Sequence, residues 1–458
     1  MNIDCLNKYK KIHMIGIGGV SMSGIAEILN HFNFEITGSD ITDSETIRHL
    51  ISKGIKITIG HDLENAANSD LVVYTAAVKQ DDPEIIEAKS HNIPLMERAD
   101  FLGEITKCFK ETICISGTHG KTTTTSMVAL CFLEALKDPT IQVGANLSAI
   151  NGNDKLGNSE YFILEACEYV ESFLKFRPHA EIVLNIDNDH LDYFKNLENI
   201  KNSFIKYVKF LPEDGLLVTN YDDKNCLELL SNTKAKCLTY SIKNKIANFY
   251  AENINFDENG FPSFDVLKNG TYFDTIALSV PGIHNVSNSL ACIALCDEYG
   301  IEKNYIKIAL KKFTGADRRF EFKGKLNGAN IFDDYAHHPT EIEATVNAMK
   351  NKKYNKSWVV FQPHTYSRTA NHLEDFAKVL MNFDNIIIID IYAAREKNIY
   401  NISSKDLVDK ICSLGKKAIY LPDFESTVSY LKENISENDL LITLGAGTVT
   451  QIGPMLLK

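Results

Sequence analysis

The segment from Glu111 to Leu136, "ETICISGTHGKTTTTSMVALCFLEAL", constrains the fold of this chain more than any other. An apolar β-rich run is followed by a glycine-bounded turn and then by an apolar helical pattern, which predicts a strand, a tight turn and a helix. Glycines let the backbone wrap closely around an anion, and the free N–H groups of a helix start attract one. The segment therefore predicts a phosphate-binding turn within an α/β domain.

The turn has the pattern G-x-x-G-K-T, which is shorter than the strict P-loop because Ile115 stands where the first glycine of that motif would fall. We expect Lys121 to reach terminal phosphates as a point charge and Thr122 to offer a hydroxyl to Mg²⁺. His119 is assigned to loop shape and a hydrogen bond to substrate. The alternative is a polar loop that contains a lysine by chance. The predicted phosphate-binding residues are Gly117, Thr118, His119, Gly120, Lys121, Thr122 and Thr123.

Two further residues are candidate metal ligands because Mg²⁺ prefers a few oxygen ligands and water, and because each follows an apolar strand. Glu165 ends the run "YFILE", and His190 follows "AEIVLNIDND". A capped or solvated residue is the alternative interpretation of His190. Asp192 is assigned to the start of a helix. With the phosphate turn nearby, the pattern favours a metal site that contains Thr122, Glu165 and His190.

A second glycine turn lies near the N-terminus, between the predicted strand "KIHMIGIG" and the predicted helix "MSGIAEILNHF". Gly16, Gly18 and Gly19 begin a dinucleotide-binding fingerprint, but Ser21 replaces its third glycine. The helix start still suits a diphosphate, and Asp40 ends the next strand where an acidic residue would meet a ribose hydroxyl. A nucleotide diphosphate other than NAD is predicted here, and a purely structural glycine turn is the alternative.

Three apolar runs in the C-terminal part end in polar or glycine residues, as strands do where an α/β sheet binds a ligand. The stretch "DDYAHHPTEI" places His337 and His338 before Pro339, which can open a helix. Adjacent histidines do not have the spacing of a zinc site, so polar substrate contacts are favoured. In "FQPHTYSR", Arg368 suits bidentate binding of a carboxylate, with a surface ion pair as the alternative.

Alternating strand and helix patterns over 458 residues predict an α/β protein of three domains with mainly parallel sheets. The predicted parts are a Rossmann-like N-terminal domain (1–107), a central P-loop-type ATPase domain (108–315) and a C-terminal Rossmann-like α/β domain (316–458). The net charge of -12, without a basic run, argues against nucleic-acid binding. No apolar run approaches the ~18 residues of a membrane-spanning helix. Ten cysteines without a C-x-x-C pair predict buried free thiols in a reducing cytoplasm.

The chain resembles the Mur ligase family over essentially its whole length. The stretches that carry the resemblance are "IGIGGVSMSGIAEIL", "TGSD", "GTHGKTTT", "EACE", "NIDNDHLDYF", "HNVSNSLA", "RRFE", "DDYAHHPTEI", "FQPHTYSRT" and "DIYAAREK". The resemblance implies ATP- and Mg²⁺-dependent ligation of L-alanine to the lactyl carboxylate of UDP-N-acetylmuramic acid through an acyl phosphate. This reaction belongs to cytoplasmic peptidoglycan precursor synthesis. The implied protein is a monomer or weak homodimer.

The resemblance also implies residue roles. The first domain would bind the UDP part of the substrate, the second ATP, and the third the adenine and the amino acid. Lys121, Glu165, His190, His337 and Arg368 would be the catalytic residues, with His337 and Arg368 on the alanine carboxylate. The implied nucleotide contacts are Asn288, Arg319 and Asp334 for ATP and Gly18, Gly19, Ser39, Asp40, Thr75 and Ala76 for UDP.

Two positions depart from the family pattern. Phe204 stands where several relatives carry a carbamylated lysine, and Lys206 is off register. Thr365 stands where many alanine-adding members have arginine, which leaves Arg368 as the main guanidinium. The nearest rival function is a murein peptide ligase that joins a whole tripeptide to the same UDP sugar. A nicotinamide-dependent oxidoreductase and a non-catalytic nucleotide sensor are the rivals from other classes.

Overall fold

The computed structural model describes residue 6 and residues 8–75, 77–394 and 396–458, without the side chains of Val20 and Asp192. Its backbone divides into two compact units. The first contains Met1–Tyr250 and Leu290–Ala309, and the second contains Ala251–Ser289 and Leu310–Lys458.

The first unit begins with a five-stranded parallel sheet in the order β3-β2-β1-β4-β5. Its strands are β1 (Lys11–Ile15), β2 (Glu35–Asp40), β3 (Lys56–Ile59), β4 (Leu71–Tyr74) and β5 (Leu95–Glu97). Its helices are α1 (Val20–His31), α2 (Glu45–Ser52), α3 (Leu63–Ala67), α4 (Pro83–Ser90) and α5 (Arg98–Thr106). Because Ile15 pairs with Ser39, the glycine turn after β1 and Asp40 leave the sheet at the same edge.

A second sheet follows, and the part of it that lies wholly in the first unit has the order β12-β11-β10-β6-β9-β7-β8. Its strands are β6 (Glu111–Ser116), β7 (Thr140–Leu147), β8 (Gly152–Lys155), β9 (Tyr161–Glu165), β10 (Ala180–Val183), β11 (Leu216–Asn220) and β12 (Lys236–Ser241). Only β8 runs antiparallel to its neighbour among these strands. Its helices are α6 (Lys121–Glu134), α7 (Leu191–Phe194), α8 (Leu197–Val208) and α9 (Lys224–Leu227).

The strand register of this second sheet fixes which loops meet. Ile115 pairs with Glu165 on one side of β6, and Ser116 pairs with Val183 on the other. The phosphate turn after β6 is therefore flanked by the end of β9 and by the loop that follows β10. Parallel strands bring these three loops to one edge, where ligands bind in such sheets.

Three elements cross the boundary between the units: β13 (Phe249–Phe256), α10 (Ile283–Glu298) and α11 (Lys303–Lys312). The second unit contains an antiparallel hairpin of β14 (Pro262–Lys268) and β15 (Thr271–Ala277). Short 3₁₀ turns span Ser148–Ile150, Tyr169–Lys175, Glu228–Ser231 and Thr448–Gln451.

The larger sheet of the second unit has the order β16-β17-β21-β18-β19-β20 and is parallel except between β16 and β17. Its strands are β16 (Glu321–Leu326), β17 (Ala329–Asp334), β18 (Ser357–Phe361), β19 (Asn385–Ile388), β20 (Ile419–Tyr420) and β21 (Leu440–Leu444). Its helices are α12 (Pro339–Met349), α13 (Tyr366–Asn371), α14 (Leu373–Leu380), α15 (Ser404–Ser413), α16 (Phe424–Asn434) and α17 (Ile452–Leu456). A buried apolar cluster packs on each face of this sheet.

The predicted α/β class with mainly parallel sheets is confirmed. The structure describes no helix long and apolar enough to cross a membrane. The prediction of free, buried thiols needs correction. Cys108 is disulfide-bonded, and Cys167 and Cys412 are free but exposed.

Candidate active site

The phosphate turn is built by two glycines with positive φ angles, 129° at Gly117 and 87° at Gly120. A Cβ at Gly117 would lie 3.0 Å from the Cβ of Leu184 and 3.1 Å from its backbone nitrogen, so a side chain there would be crowded and its backbone strained. Gly120 precedes the first residue of α6 and offers no side-chain cap. The first N–H groups of α6 therefore point into the turn, as an anion site requires.

Lys121 lies at the start of α6 with its ammonium folded back over the turn. Its Nζ donates to the carbonyl oxygens of Gly117 and Thr118, at 2.6 and 3.1 Å, and to Glu168 Oε2 at 2.9 Å. Burial alone would lower the pKa of Lys121, but the carboxylates of Glu168 and Glu165 outweigh it and raise this pKa. The ammonium is thus held charged where phosphate oxygens would enter.

Glu168 is a candidate site residue that the sequence analysis missed. Its side chain is 2 % exposed, and while Oε2 accepts from Lys121, the described residues give the buried Oε1 no hydrogen-bond partner. His190 Nε2 lies 3.8 Å from that oxygen. An orphaned buried carboxylate oxygen is costly unless a ligand satisfies it. The available signal was its spacing, three residues after Glu165 in "EACE".

Glu165 ends β9 and is held by the neighbouring β7. Its Oε2 accepts the backbone N–H of Gly144 at 3.0 Å. A Cβ at Gly144 would lie 2.6 Å from the same oxygen, so the missing side chain makes room for the carboxylate. The predicted position of Glu165 beside the phosphate turn is consistent with its influence on the pKa of Lys121.

The chemical types of the donors around the turn suit Mg²⁺. Glu165 and Glu168 supply carboxylate oxygens, Thr122 supplies a buried hydroxyl on the first turn of α6, and His190 supplies an imidazole. Hard oxygen donors with a free carboxylate oxygen are what Mg²⁺ binds in nucleotide sites. His190 is positioned by a left-handed backbone (φ 54°) before α7 and by its ring contact with Tyr169.

His119 fastens the turn to the loop after β10. Its backbone N–H donates to Asn185 Oδ1 at 2.8 Å, and Asn185 Nδ2 donates back to its carbonyl oxygen at 2.9 Å. Its ring nitrogen Nε2 lies 3.3 Å from Asp187 Oδ2. These contacts join the turn after β6 to the loop after β10, two segments that the sequence alone does not bring together.

The predicted UDP-binding residues come together only in part. Gly18 N donates to Asp40 Oδ2 at 2.9 Å, and Gly19 precedes α1 without a side-chain cap. Thr75 contacts the same turn, since a Cβ at Gly16 would lie 3.1 Å from its Cγ2. Ser39 differs, because its side chain is 1 % exposed and donates to Glu84. Ala76 lies outside the described residues.

A buried polar network lies directly under this turn. His13 Nε2 contacts Glu84 Oε1 at 2.9 Å, and its Nδ1 contacts Thr37 Oγ1 at 2.8 Å. Ser39 Oγ donates to Glu84 Oε2 at 2.9 Å, and Asp62 N donates to Oε1 at 3.0 Å. Burial alone would raise the pKa of the Glu84 carboxyl. Its hydrogen bonds with His13, Asp62 and Ser39 outweigh burial and lower this pKa. The network anchors the end of β2, where Asp40 begins its loop.

In the second unit, Asp334 and Arg319 lie close enough to interact. Burial raises the pKa of Asp334 to about 6, although Thr345 Oγ1 donates to it at 2.7 Å and the Arg319 guanidinium favours its charge. Arg319 also lies over the Tyr335 ring, 5.1 Å from its centroid. The third predicted nucleotide residue, Asn288, is buried on α10, where its Nδ2 donates to Asn285 Oδ1 at 3.2 Å.

The predicted alanine-binding residues meet around the ring of His364. Arg368 Nη1 lies 3.3 Å from His364 Nδ1, and the His337 ring centroid lies 5.6 Å from that of His364. Thr365 caps α13 with φ 67° and accepts from Arg368 N at 3.4 Å. The predicted helix start at Pro339 is confirmed, with the side chain of His338 as its cap.

Phe204 is part of the core. Its side chain is 0 % exposed and packs edge-on against Phe173, with ring centroids 5.1 Å apart. The position that holds a carbamylated lysine in some relatives thus has a packing role here.

A mainly parallel α/β sheet, a glycine turn with a half-buried lysine at its mouth, and carboxylates at and just after the end of the adjacent strand define a nucleotide-binding protein of the P-loop type. Three family models match along the chain: the Mur ligase catalytic domain over residues 11–110, the Mur ligase middle domain over 115–296, and the Mur ligase glutamate ligase domain over 318–447. The chain belongs to the Mur ligase family, as its motifs predict.

Its curated relatives include two UDP-N-acetylmuramate–L-alanine ligases. The one from Acetivibrio thermocellus is 52% identical over 99% of this chain and 96% of the relative. The one from Clostridium botulinum strain Okra is 50% identical over 99% of this chain and 98% of the relative.

Two solved structures are similar over the full length. The UDP-N-acetylmuramate–alanine ligase MurC of Thermotoga maritima superposes with a TM-score of 0.82 at 30% identity, covering 98% of both chains. A murein peptide ligase of Psychrobacter arcticus superposes with a TM-score of 0.72 at 24% identity, also covering 98% of both. The second likeness concerns the fold alone.

Proposed function

We propose that this enzyme joins L-alanine to the lactyl carboxylate of UDP-N-acetylmuramic acid at the expense of ATP, giving UDP-N-acetylmuramoyl-L-alanine, ADP and phosphate. The observation that supports this proposal most strongly is the charged Lys121 over the phosphate turn. It lies in a chain that is 52% identical to a UDP-N-acetylmuramate–L-alanine ligase. The product belongs to peptidoglycan precursor synthesis, and the proposed location is the cytoplasm.

The chemistry requires two steps because a carboxylate does not react with an amine at neutral pH. A lactyl carboxylate oxygen attacks the γ-phosphorus of ATP, and ADP leaves with the bond electrons. The alanine amine then attacks the acyl carbon, loses a proton and expels phosphate. In the first step two anions must meet, so Lys121 and the N–H groups of α6 have to offset their repulsion.

The contacts of Lys121 support this proposed role. Its hydrogen bonds to the Gly117 and Thr118 carbonyl oxygens keep the ammonium at the mouth of the turn. The Glu168 carboxylate keeps the Lys121 ammonium charged, but it also competes with phosphate for this ammonium. We infer that an arriving triphosphate draws the ammonium from Glu168.

Glu168, Glu165, His190 and Thr122 would hold Mg²⁺, with the orphaned Glu168 Oε1 as one donor. When bound, the ion neutralises charge on the phosphate oxygens. Glu168 would then lose the Lys121 ammonium as its partner and gain Mg²⁺, so the negative charge of this buried carboxylate stays neutralised.

The remaining residues orient the other substrates. Asp40 and the Gly18–Gly19 turn would bind the UDP part, and Arg319 with Asp334 would contact the adenosine. Arg368 and His337 would bind the alanine carboxylate, since a guanidinium forms paired charge-assisted hydrogen bonds with one. In this proposal, domain 1–107 binds the UDP part, domain 108–315 binds ATP, and domain 316–458 binds the adenine and the amino acid. The proposed enzyme is a monomer or weak homodimer.

The test is phosphate release from ATP and Mg²⁺ with UDP-N-acetylmuramic acid, adding one acceptor at a time. Release that depends on both the UDP sugar and L-alanine supports the proposal. Release with the tripeptide but not with alanine would assign the chain to the murein peptide ligases. No release with either acceptor would favour a nucleotide sensor.

A further inference from the structure

Three cysteines from two helices form a cluster in the first unit, which we call the α6–α10 thiol cluster. Cys131 lies on α6, and Cys292 and Cys296 lie one turn apart on α10. The Sγ atoms of Cys131 and Cys292 are 3.6 Å apart, and those of Cys292 and Cys296 are 3.8 Å apart. All three sulfur atoms lie within 4.8 Å of one another.

This spacing is that of three sulfurs around one atom. An atom bonded to three sulfurs at roughly 2.3 Å, the length of a zinc–thiolate bond, holds them roughly 3.5–4 Å apart. The existing distances are already close to these values. The third pair of sulfur atoms, those of Cys131 and Cys296, also lies within 4.8 Å, so closure around one atom needs an adjustment of at most roughly 1 Å.

The burial of the cluster selects the chemistry of its ligand. Cys131, Cys292 and Cys296 are each 0 % exposed. Three thiolates around a monovalent or divalent cation would leave a net negative charge in the core, which is costly without compensation. A trivalent centre bonded to three sulfurs is neutral, so it avoids this cost.

Zinc is disfavoured for a second reason. Structural zinc takes four ligands in a tetrahedron, and among the described residues the group that could share an ion contains only these three. Soft sulfur ligands favour thiophilic centres, and a three-coordinate one matches the number available.

We propose that the α6–α10 thiol cluster is a binding site for trivalent arsenic. Arsenous acid, As(OH)₃, would exchange its three hydroxyl groups for Cys131, Cys292 and Cys296. Three S–H and three As–O bonds break, three As–S bonds form, and three waters leave. The oxidation state of arsenic and sulfur does not change. This site is separate from the phosphate turn, since Cys131 lies ten residues along α6 from Lys121, roughly 15 Å along the helix axis, and it does not depend on the proposed ligase activity.

The test uses the full-length protein reduced with a phosphine, because a thiol reductant would compete for arsenic. After incubation with sodium arsenite, native mass spectrometry should show one arsenic per chain, with the loss of three protons. The preorganised cluster of the folded chain should bind arsenic more tightly than the separated thiols of the unfolded chain do, so we expect the Tm to rise by at least about 2 °C. Because the thiols are buried, uptake needs local opening and should be slow.

Matched variants assign the site. Cys292→Ser and Cys296→Ala should each abolish the mass gain and the Tm shift. Cys226→Ser, which alters another fully buried thiol, should retain both, as should Cys412→Ser at an exposed one. Wild-type protein that gains no arsenic would overturn the proposal, whatever the variants do. The proposal would also be overturned if the protein took up arsenic only after it had been unfolded and refolded. Arsenic binding by the Cys292→Ser variant would overturn it too.

Discussion

The ammonium of Lys121 has three acceptors, of which Glu168 is charged. Lys121→Ala removes the positive charge that would stabilise the γ-phosphate during transfer. We expect kcat to fall about 10²–10³-fold, the cost of removing a preorganised electrostatic donor. Phosphate release under saturating substrates measures it, with Lys137→Ala beyond the end of α6 as the control. A rate near that of the wild type would refute the phosphate role.

Glu168 is expected to act through both Lys121 and Mg²⁺. Glu168→Gln keeps the shape but removes the charge, so we expect a lower kcat and a higher Mg²⁺ concentration at half-maximal rate, each by about 10-fold or more. Titrating Mg²⁺ at fixed ATP separates the two effects. Glu171→Gln, which loses a pair with Lys206 near the surface, is the control. A Mg²⁺ dependence unchanged in Glu168→Gln would show that Glu168 only positions Lys121.

Arg368 lies where a substrate carboxylate could replace its present contact with His364. Arg368→Ala should mainly raise the KM for L-alanine, by about 10–100-fold, because a charged hydrogen bond contributes about 1.5–3 kcal/mol. The KM for ATP should stay within a factor of about two. Steady-state kinetics with alanine and ATP varied separately distinguish these outcomes, and an unchanged alanine KM would remove Arg368 from the site.

At the scale of the element, α8 is held by the aromatic packing of Phe204 in the core. Phe204→Ala should lower the free energy of unfolding by about 3–5 kcal/mol, the range for large-to-small changes of buried aromatic residues. Denaturant titration measures this loss. The Mg²⁺ dependence of the folded variant should not change, since Phe204 offers no metal ligand. A shift in that dependence would contradict the purely structural role.

Elements with strong local signals could be predicted from the sequence, and the contacts between them could not. The strand "ETICIS" matches β6 in full, and the glycines of the phosphate turn have the positive φ angles that their positions require. Glu168 was missed because its place at the site depends on its contact with Lys121, and that residue lies 47 positions earlier in the sequence. The burial of the Ser39 hydroxyl likewise depends on a hydrogen bond to Glu84, 45 residues further along the chain, which no local pattern encodes.

At the scale of the whole molecule, two carboxyl groups link folding to pH, the half-buried Asp154 in the first unit and the buried Asp334 in the second. Burial raises the pKa of Asp154 to about 6, with the Glu27 carboxylate adding to the effect, and burial likewise raises the pKa of Asp334 to about 6. In the unfolded chain both groups return to the ordinary pKa of 3.8. Between these values the folded chain holds protons that the unfolded chain has released.

Lowering the pH from 7 to 5 should therefore stabilise the folded state through these two groups. Each contributes at most roughly 1.4 kcal/mol per pH unit below its folded pKa. Asp154→Asn combined with Asp334→Asn removes both protonation events, so its Tm should rise less than that of the wild type over this interval. Below pH 4.5 a contribution of opposite sign begins, because the pKa of Glu84 is lowered in the folded chain and its stabilising contribution is lost as this carboxyl is protonated. Parallel wild-type and double-variant curves between pH 7 and 5 would show that neither carboxyl titrates there.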